Sequence, residues 1–129
     1  MTIEKELGEG GYATIYSALC RQDGRRYAMK HFRIQGDAER HAAVCAEALL
    51  MRRLKAHPHL LRLYAASFAG PDNAPSDGFF LLDLCQGNLV EALQARHKVM
   101  TEADILGILL QVARGLAHMH SLSPPVAHR

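Results

Sequence analysis

The chain has 129 residues, 49% of them hydrophobic, and a formal net charge of +2, which supplies a core for one domain and no basic stripe or tail that would favour nucleic acid as a partner. Its three cysteines, Cys20, Cys45 and Cys85, are too far apart for a zinc site or a dense disulfide scaffold and suit a reducing compartment. The opening MTIEKELG has no apolar signal core, no run approaches the roughly 18 residues of a membrane span, and Thr2 stands where N-myristoylation needs glycine, so the expected chain is soluble and cytoplasmic.

In chain order, Ile3 to Gly8 and Thr14 to Arg21 are predicted strands joined through glycines, and Gln22-Asp23-Gly24 is a turn into a third strand, RRYAMKHF. Helical spacing then runs from Asp37 to about Lys55, with Val44, Met51 and Leu54 on one side, and His57-Pro58-His59 ends it. Leu60 to Phe68 and Phe79 to Cys85 are predicted as buried strands around the surface loop AGPDNAPSDG. Two helices follow, one over Leu89 to His97 and one capped by Thr101 that runs through DILGILLQVARGLAHMH. The repeating Leu106, Leu109, Ala113 and Leu116 need a partner surface, and Pro124-Pro125 is expected to stop the last helix.

The stretch LGEGGYATIY contains Gly8, Gly10 and the small Ala13, a G-x-G-x-x-A pattern that many plain hairpins share. A dinucleotide-binding loop needs a helix directly after its glycines, whereas TIYSALC favours a strand. A P-loop needs Gly-Lys-Ser/Thr, which does not follow. What remains is a hairpin or a glycine flap whose uncrowded backbone N–H groups can approach phosphate oxygens.

Two charges sharpen that choice. Lys30 shares a strand face with Ala28 and Phe32, and Glu47 shares a helix face with Val44, Ala48 and Met51. Both positions are costly for an unpaired charge, so the expected solution is a Lys30–Glu47 ion pair beside the space under the flap. A purely structural pair or a snorkelling lysine would satisfy the same pattern.

From Leu7 to Arg129 the sequence resembles the N-terminal part of a eukaryotic protein kinase. LGEGGYATIY resembles the glycine-rich loop, YAMK the strand with the phosphate-pairing lysine, and Glu47 its helix αC partner. HPHL is similar to the His-Pro-Asn-Ile turn, FFLLDLC to the strand entering the adenine hinge, and AHR to the start of the His-Arg-Asp catalytic loop. The resemblance implies an α+β fold: a five-stranded antiparallel sheet with helix αC over residues 1–85, then the first helices of an incomplete helical C-lobe over 86–129. It implies ATP as ligand, with Gly8, Glu9, Gly10, Gly11 and Ala13 covering the phosphates and Lys30 on the α and β phosphates, held by Glu47. Leu7, Ile15 and Ala28 would roof the adenine, Leu82 would be the gatekeeper, and the Asp83 carbonyl and Cys85 amide would bond the adenine edge. Met51 and His128 would join the hydrophobic spine.

EGGYA, DLCQGNLVEAL and HMHSLSPPVAHR are similar to the Numb-associated kinases, which include the adaptor-associated and cyclin-G-associated kinases, and MTEADILGILLQVARGL is also similar to the smaller palmitoylated kinase of that group. This implies serine/threonine specificity and work in clathrin-coat or membrane traffic. Protein substrates would include clathrin-adaptor subunits, reached by peripheral association with membranes or coated vesicles. The sequence stops at Arg129, before the aspartate that would orient the substrate hydroxyl, and holds no Asp-Phe-Gly or Ala-Pro-Glu. These residues alone are therefore expected to be inactive and prone to aggregate, and Mg2+ is expected only with the absent C-lobe residues. The alternative function is a non-catalytic pseudokinase or interaction module. No metal ligands are assigned, because His118 and His120 diverge on a helix and His57 and His59 flank a proline. Cys85 is expected to be an ordinary buried cysteine, with an accessible thiol near the ligand as the alternative.

Overall fold

The computed structural model describes residues 1–96 and 100–127. They form two compact units, Met1–Lys55 with Arg62–Leu84, and Ala56–Leu61 with Cys85 onward.

The first unit is a five-stranded antiparallel sheet with one helix, so the architecture is α+β. Its strands are β1 (Thr2–Glu9), β2 (Ala13–Leu19), β3 (Arg26–Arg33), β4 (Leu63–Ala69) and β5 (Asp77–Leu82), in the order β1-β2-β3-β5-β4. The turn expected at Gln22-Asp23-Gly24 is present. Gly24, at φ +69°, donates its N–H to the Cys20 carbonyl at 2.9 Å, and the Asp23 carboxylate accepts from the Arg25 N–H at 2.9 Å. Helix α1 (Ala38–Leu54) starts at Asp37, whose Oδ1 accepts from the N–H groups of Glu39 and Arg40 at 2.9 and 3.0 Å.

Register decides which side chains meet. Lys30 lies opposite Ile15 on β2 and Phe80 on β5, and Ala28 lies opposite Ser17 and Leu82. Directly paired residues project to the same face, so Ile15, Lys30, Ala28, Phe80 and Leu82 share one. On that face Ala28, Phe32, Ile34, Phe80 and Leu82 cluster with Val44 and Ala48 of α1, and Met51 packs against the cluster. The inward stripe predicted for α1 is therefore the stripe that buries.

Residues 63–69 are not the buried strand expected. Among the described residues β4 pairs with β5 alone, and most of its residues are exposed. The reason is topological: β3 crosses to β5, which leaves β4 at the sheet edge. β5, flanked on both sides, alternates between buried and half-buried positions.

In the second unit α2 (Leu89–Arg96) and α3 (Glu102–Ser121) form as predicted, although His97 lies outside the described residues. A capping box starts α3: Thr101 Oγ1 accepts from the Asp104 N–H at 3.2 Å, and Asp104 Oδ2 accepts from the Thr101 N–H at 3.1 Å. The helix ends at Ser121, ahead of the Pro124–Pro125 pair expected to stop it, and the N–H of Val126 folds back onto the Met119 carbonyl at 3.0 Å. Leu106, Leu109, Ala113 and Leu116, the apolar row predicted from the spacing, are exposed. Among the described residues no helix is long and apolar enough to cross a membrane.

Candidate functional site

The site is built on the helix-covered face of the sheet in the first unit. Lys30 Nζ lies 2.7 Å from Glu47 Oε1, so the two inward charges, one from a strand and one from a helix, do meet. Their side chains keep 25% and 39% exposure, which makes this a half-open pair rather than a sealed one. Lys30 Nζ also stands 4.6 Å from the centre of the Phe32 ring, its neighbour along the same face. An ammonium held on one side by a carboxylate and on another by an aromatic face has a fixed position, and its remaining protons can still reach a ligand anion.

Residues 10–12 link β1 to β2, and the register sets this link close to the pair, since Ala13 lies opposite Phe32 and Ile15 opposite Lys30. The pairing slips between Glu6 and Gly8, an irregularity in the ladder just before the flap. A Cβ added at Gly8 or Gly11 would meet nothing within 4 Å, so packing inside this chain does not require glycine there. Neither residue has a positive φ. Leaving both positions bare keeps the backbone approachable, the property a phosphate needs. The N–H of Gly10 is engaged within the flap, donating to the Ala13 carbonyl at 2.7 Å. Glu9 is paired through its side chain with Arg33 at 2.9 Å.

The apolar residues assigned to the adenine roof differ in setting. Ala28 and Leu82 are buried, Ile15 is half-buried, and Leu7 is 47% exposed. The Asp83 carboxylate is turned toward β4, accepting from the Tyr64 hydroxyl and the Arg62 N–H at 2.7 and 2.9 Å. Cys85 belongs to the second unit and is exposed, as in the accessible-thiol alternative and unlike the buried cysteine expected first. It follows the end of β5, beyond the last alternating position of the strand. His128, assigned to the hydrophobic spine, lies outside the described residues. Two arginines not foreseen from the sequence, Arg33 and Arg40, meet the flap tip at Tyr12.

A histidine cluster in the second unit was also not foreseen. The His57 ring stacks on His118 with centres 4.6 Å apart, and His57 Nδ1 accepts from the His59 N–H at 3.2 Å. The close approach passes through Gly115, where a Cβ would lie 3.0 Å from the His59 carbonyl oxygen. Burial, then the neighbouring His118 and His59, hold the His57 pKa below the ordinary imidazole value. The unfolded chain therefore takes up a proton at His57 near pH 6.5, where the folded chain still resists it. Stability from this group is full above that pH and is lost as pH falls toward the depressed value. Protonating Nδ1 also removes the acceptor for the His59 N–H. Amide exchange at residues 57–60, corrected for intrinsic rates, should accelerate between pH 7.5 and 5, and His57→Phe should flatten that dependence.

With this geometry in place, the comparisons are unambiguous at the level of family: the chain matches the protein kinase domain over residues 1–129 and belongs to that family. It is similar to the serine/threonine-protein kinase tousled-like 2 of Xenopus tropicalis, 27% identical over 95% of this chain and 18% of the relative. It is also similar to the serine/threonine-protein kinase ppk30 of Schizosaccharomyces pombe, 31% identical over 98% of this chain and 13% of the relative. With human serine/threonine-protein kinase tousled-like 1 the identity is 26%, over 95% of this chain and 16% of the relative. The chain thus spans less than a fifth of the length of these curated relatives.

Proposed function

We propose that this chain is the ATP-binding portion of a serine/threonine protein kinase. The observation that carries the reading is the 2.7 Å Lys30–Glu47 contact, on the strand paired with the one that leaves a flap whose Gly8 and Gly11 are bare. Lys30 contacts the α and β phosphates, Glu47 keeps its ammonium in place, and the backbone of Gly8 to Ala13 covers the phosphates from above. Leu7, Ile15 and Ala28 roof the adenine, Leu82 is the gatekeeper, and the Asp83 carbonyl and Cys85 amide are assigned to the adenine edge. ATP supplies the phosphoryl group; the chain's own part is binding and electrostatic positioning. The Asn and Asp-Phe-Gly positions that hold Mg2+ in this family are not among these 129 residues, so no metal contact is assigned here.

Serine/threonine specificity is supported by the names of the relatives. The motifs EGGYA, DLCQGNLVEAL and HMHSLSPPVAHR support a finer placement among the Numb-associated kinases, acting on clathrin-adaptor subunits in the cytoplasm at membranes or coated vesicles. The test is nucleotide binding by the full-length natural polypeptide. ATP should raise its melting temperature in a concentration-dependent way, with GTP less effective. A melting temperature indifferent to millimolar ATP would exclude the reading, and ATP binding without phosphate transfer to any serine or threonine peptide would favour a pseudokinase.

A further inference from the structure

Two arginines outside the nucleotide machinery fasten the flap. Arg33, the last residue of β3, donates its backbone N–H to the Tyr12 carbonyl at 3.0 Å. Its guanidinium donates to Glu9 Oε1 at 2.9 Å and to Thr14 Oγ1 at 3.2 Å, and Thr14 is only 2% exposed. One residue of the sheet thereby holds the entry, tip and exit of the flap. Arg40 approaches from the helix. Its guanidinium carbon lies 4.6 Å from the centre of the Tyr12 ring, and Asp37 Oδ2 lies 3.4 Å from its Nε. Tyr12 is 64% exposed, so burial does not fix its position.

The placement of Arg40 gives the contact its consequence. Arg40 and Glu47 are both in α1 and seven residues apart, close to two full turns, so they project from the same side of the helix. The helix whose Glu47 holds Lys30 is therefore also the helix that holds the flap tip. Arg33 ties the flap only to its own sheet, whereas the Arg40–Tyr12 contact joins it to α1. A displacement of α1 breaks both of its links together.

We propose that Arg40 is a positioning residue that latches the glycine flap to α1 through the face of Tyr12, so that the height of the flap over the nucleotide is set by the same helix that sets Lys30. This rests on the ATP-binding reading above, and it assigns a task to two side chains which that reading does not use. Without Arg40 the flap stays hinged on Arg33, and its tip moves independently of the helix.

The experiment compares Arg40→Met, Arg40→Lys, Tyr12→Leu and the Arg40→Met/Tyr12→Leu double variant in the full-length polypeptide. It reads nucleotide-free amide exchange at residues 9–13, affinity for the non-hydrolysable analogue AMP-PNP, and melting temperature. Arg40→Met and Tyr12→Leu should each speed flap exchange and weaken AMP-PNP binding by about two- to five-fold, the range of an exposed cation–π contact. Melting temperature should barely move, the double variant should be no worse than either single one, and Arg40→Lys, which keeps a cation over the ring, should retain most of the wild-type protection and affinity. A merely structural arginine would lower the melting temperature instead and leave affinity alone. Unchanged flap exchange in Arg40→Met overturns the latch even if AMP-PNP binds normally. Faster exchange in a protein whose wild type does not bind AMP-PNP supports the latch and overturns the nucleotide reading.

Discussion

Replacing Lys30 by methionine in the full-length polypeptide should lower phosphotransfer by about 100-fold or more, the scale of removing one preorganised charge donor, while the protein stays folded. The two halves of that expectation come from the same pair of numbers. The side chains of Lys30 and Glu47 are 25% and 39% exposed, so their ion pair sits closer to the surface limit than to the buried one. Such a pair contributes about 0–1 kcal/mol to folding. Methionine keeps the unbranched stem on the apolar face beside Phe32 and loses only the ammonium. Glu47→Gln should fall between wild type and Lys30→Met, because an amide oxygen can still accept from Nζ at the observed 2.7 Å but carries no charge. Lys30→Arg is no rescue, since a planar fork cannot occupy the position of a compact ammonium. Initial rates with a serine/threonine peptide, set beside melting curves, check the prediction. Full activity in Lys30→Met would remove the role given to this residue.

The Lys30–Glu47 contact was legible in the sequence because two independent periods each marked an out-of-place charge. Strand alternation set Lys30 between Ala28 and Phe32, and helical spacing set Glu47 among Val44, Ala48 and Met51. Two opposite charges confined to apolar faces have few ways to be satisfied other than each other. Arg40 and Tyr12 gave no such signal. Both belong on a solvated surface by any pattern, and their meeting brings together the β1–β2 link and the first turn of α1, which no periodicity within either segment marks. The exposure of β4 was hidden for a similar reason: LYAASFA has strand composition, but only the order β3-β5-β4 decides that it is an edge. His57 and His118 illustrate the longest reach, since their stacking requires the turn at 57–60 to settle on α3 where Gly115 offers no side chain.

Phe80→Ala should be the most damaging single change to the first unit. Phe80 is fully buried, sits opposite both Lys30 on β3 and Ala66 on β4, and meets the Phe32 ring edge-on at 4.8 Å. Its ring belongs to the cluster that joins the sheet to Val44 and Ala48 of α1. Truncating such a residue costs about 3–5 kcal/mol, transfer and cavity terms together, against a total stability of about 5–15 kcal/mol for an ordinary domain. The melting temperature should fall by about 10 °C or more, and nucleotide binding should fail with it, because α1 carries Glu47 on the helix that this cluster holds to the sheet. Phe68, on the edge strand, is the internal control. It is 40% exposed, lies over Gly78 of β5 and meets His41 edge-on, so Phe68→Ala should cost about 1–2 kcal/mol. Equal losses in the two variants would mean that the sheet is not covered on the face described, because only that coverage separates a ring at the centre of the cluster from one at its rim.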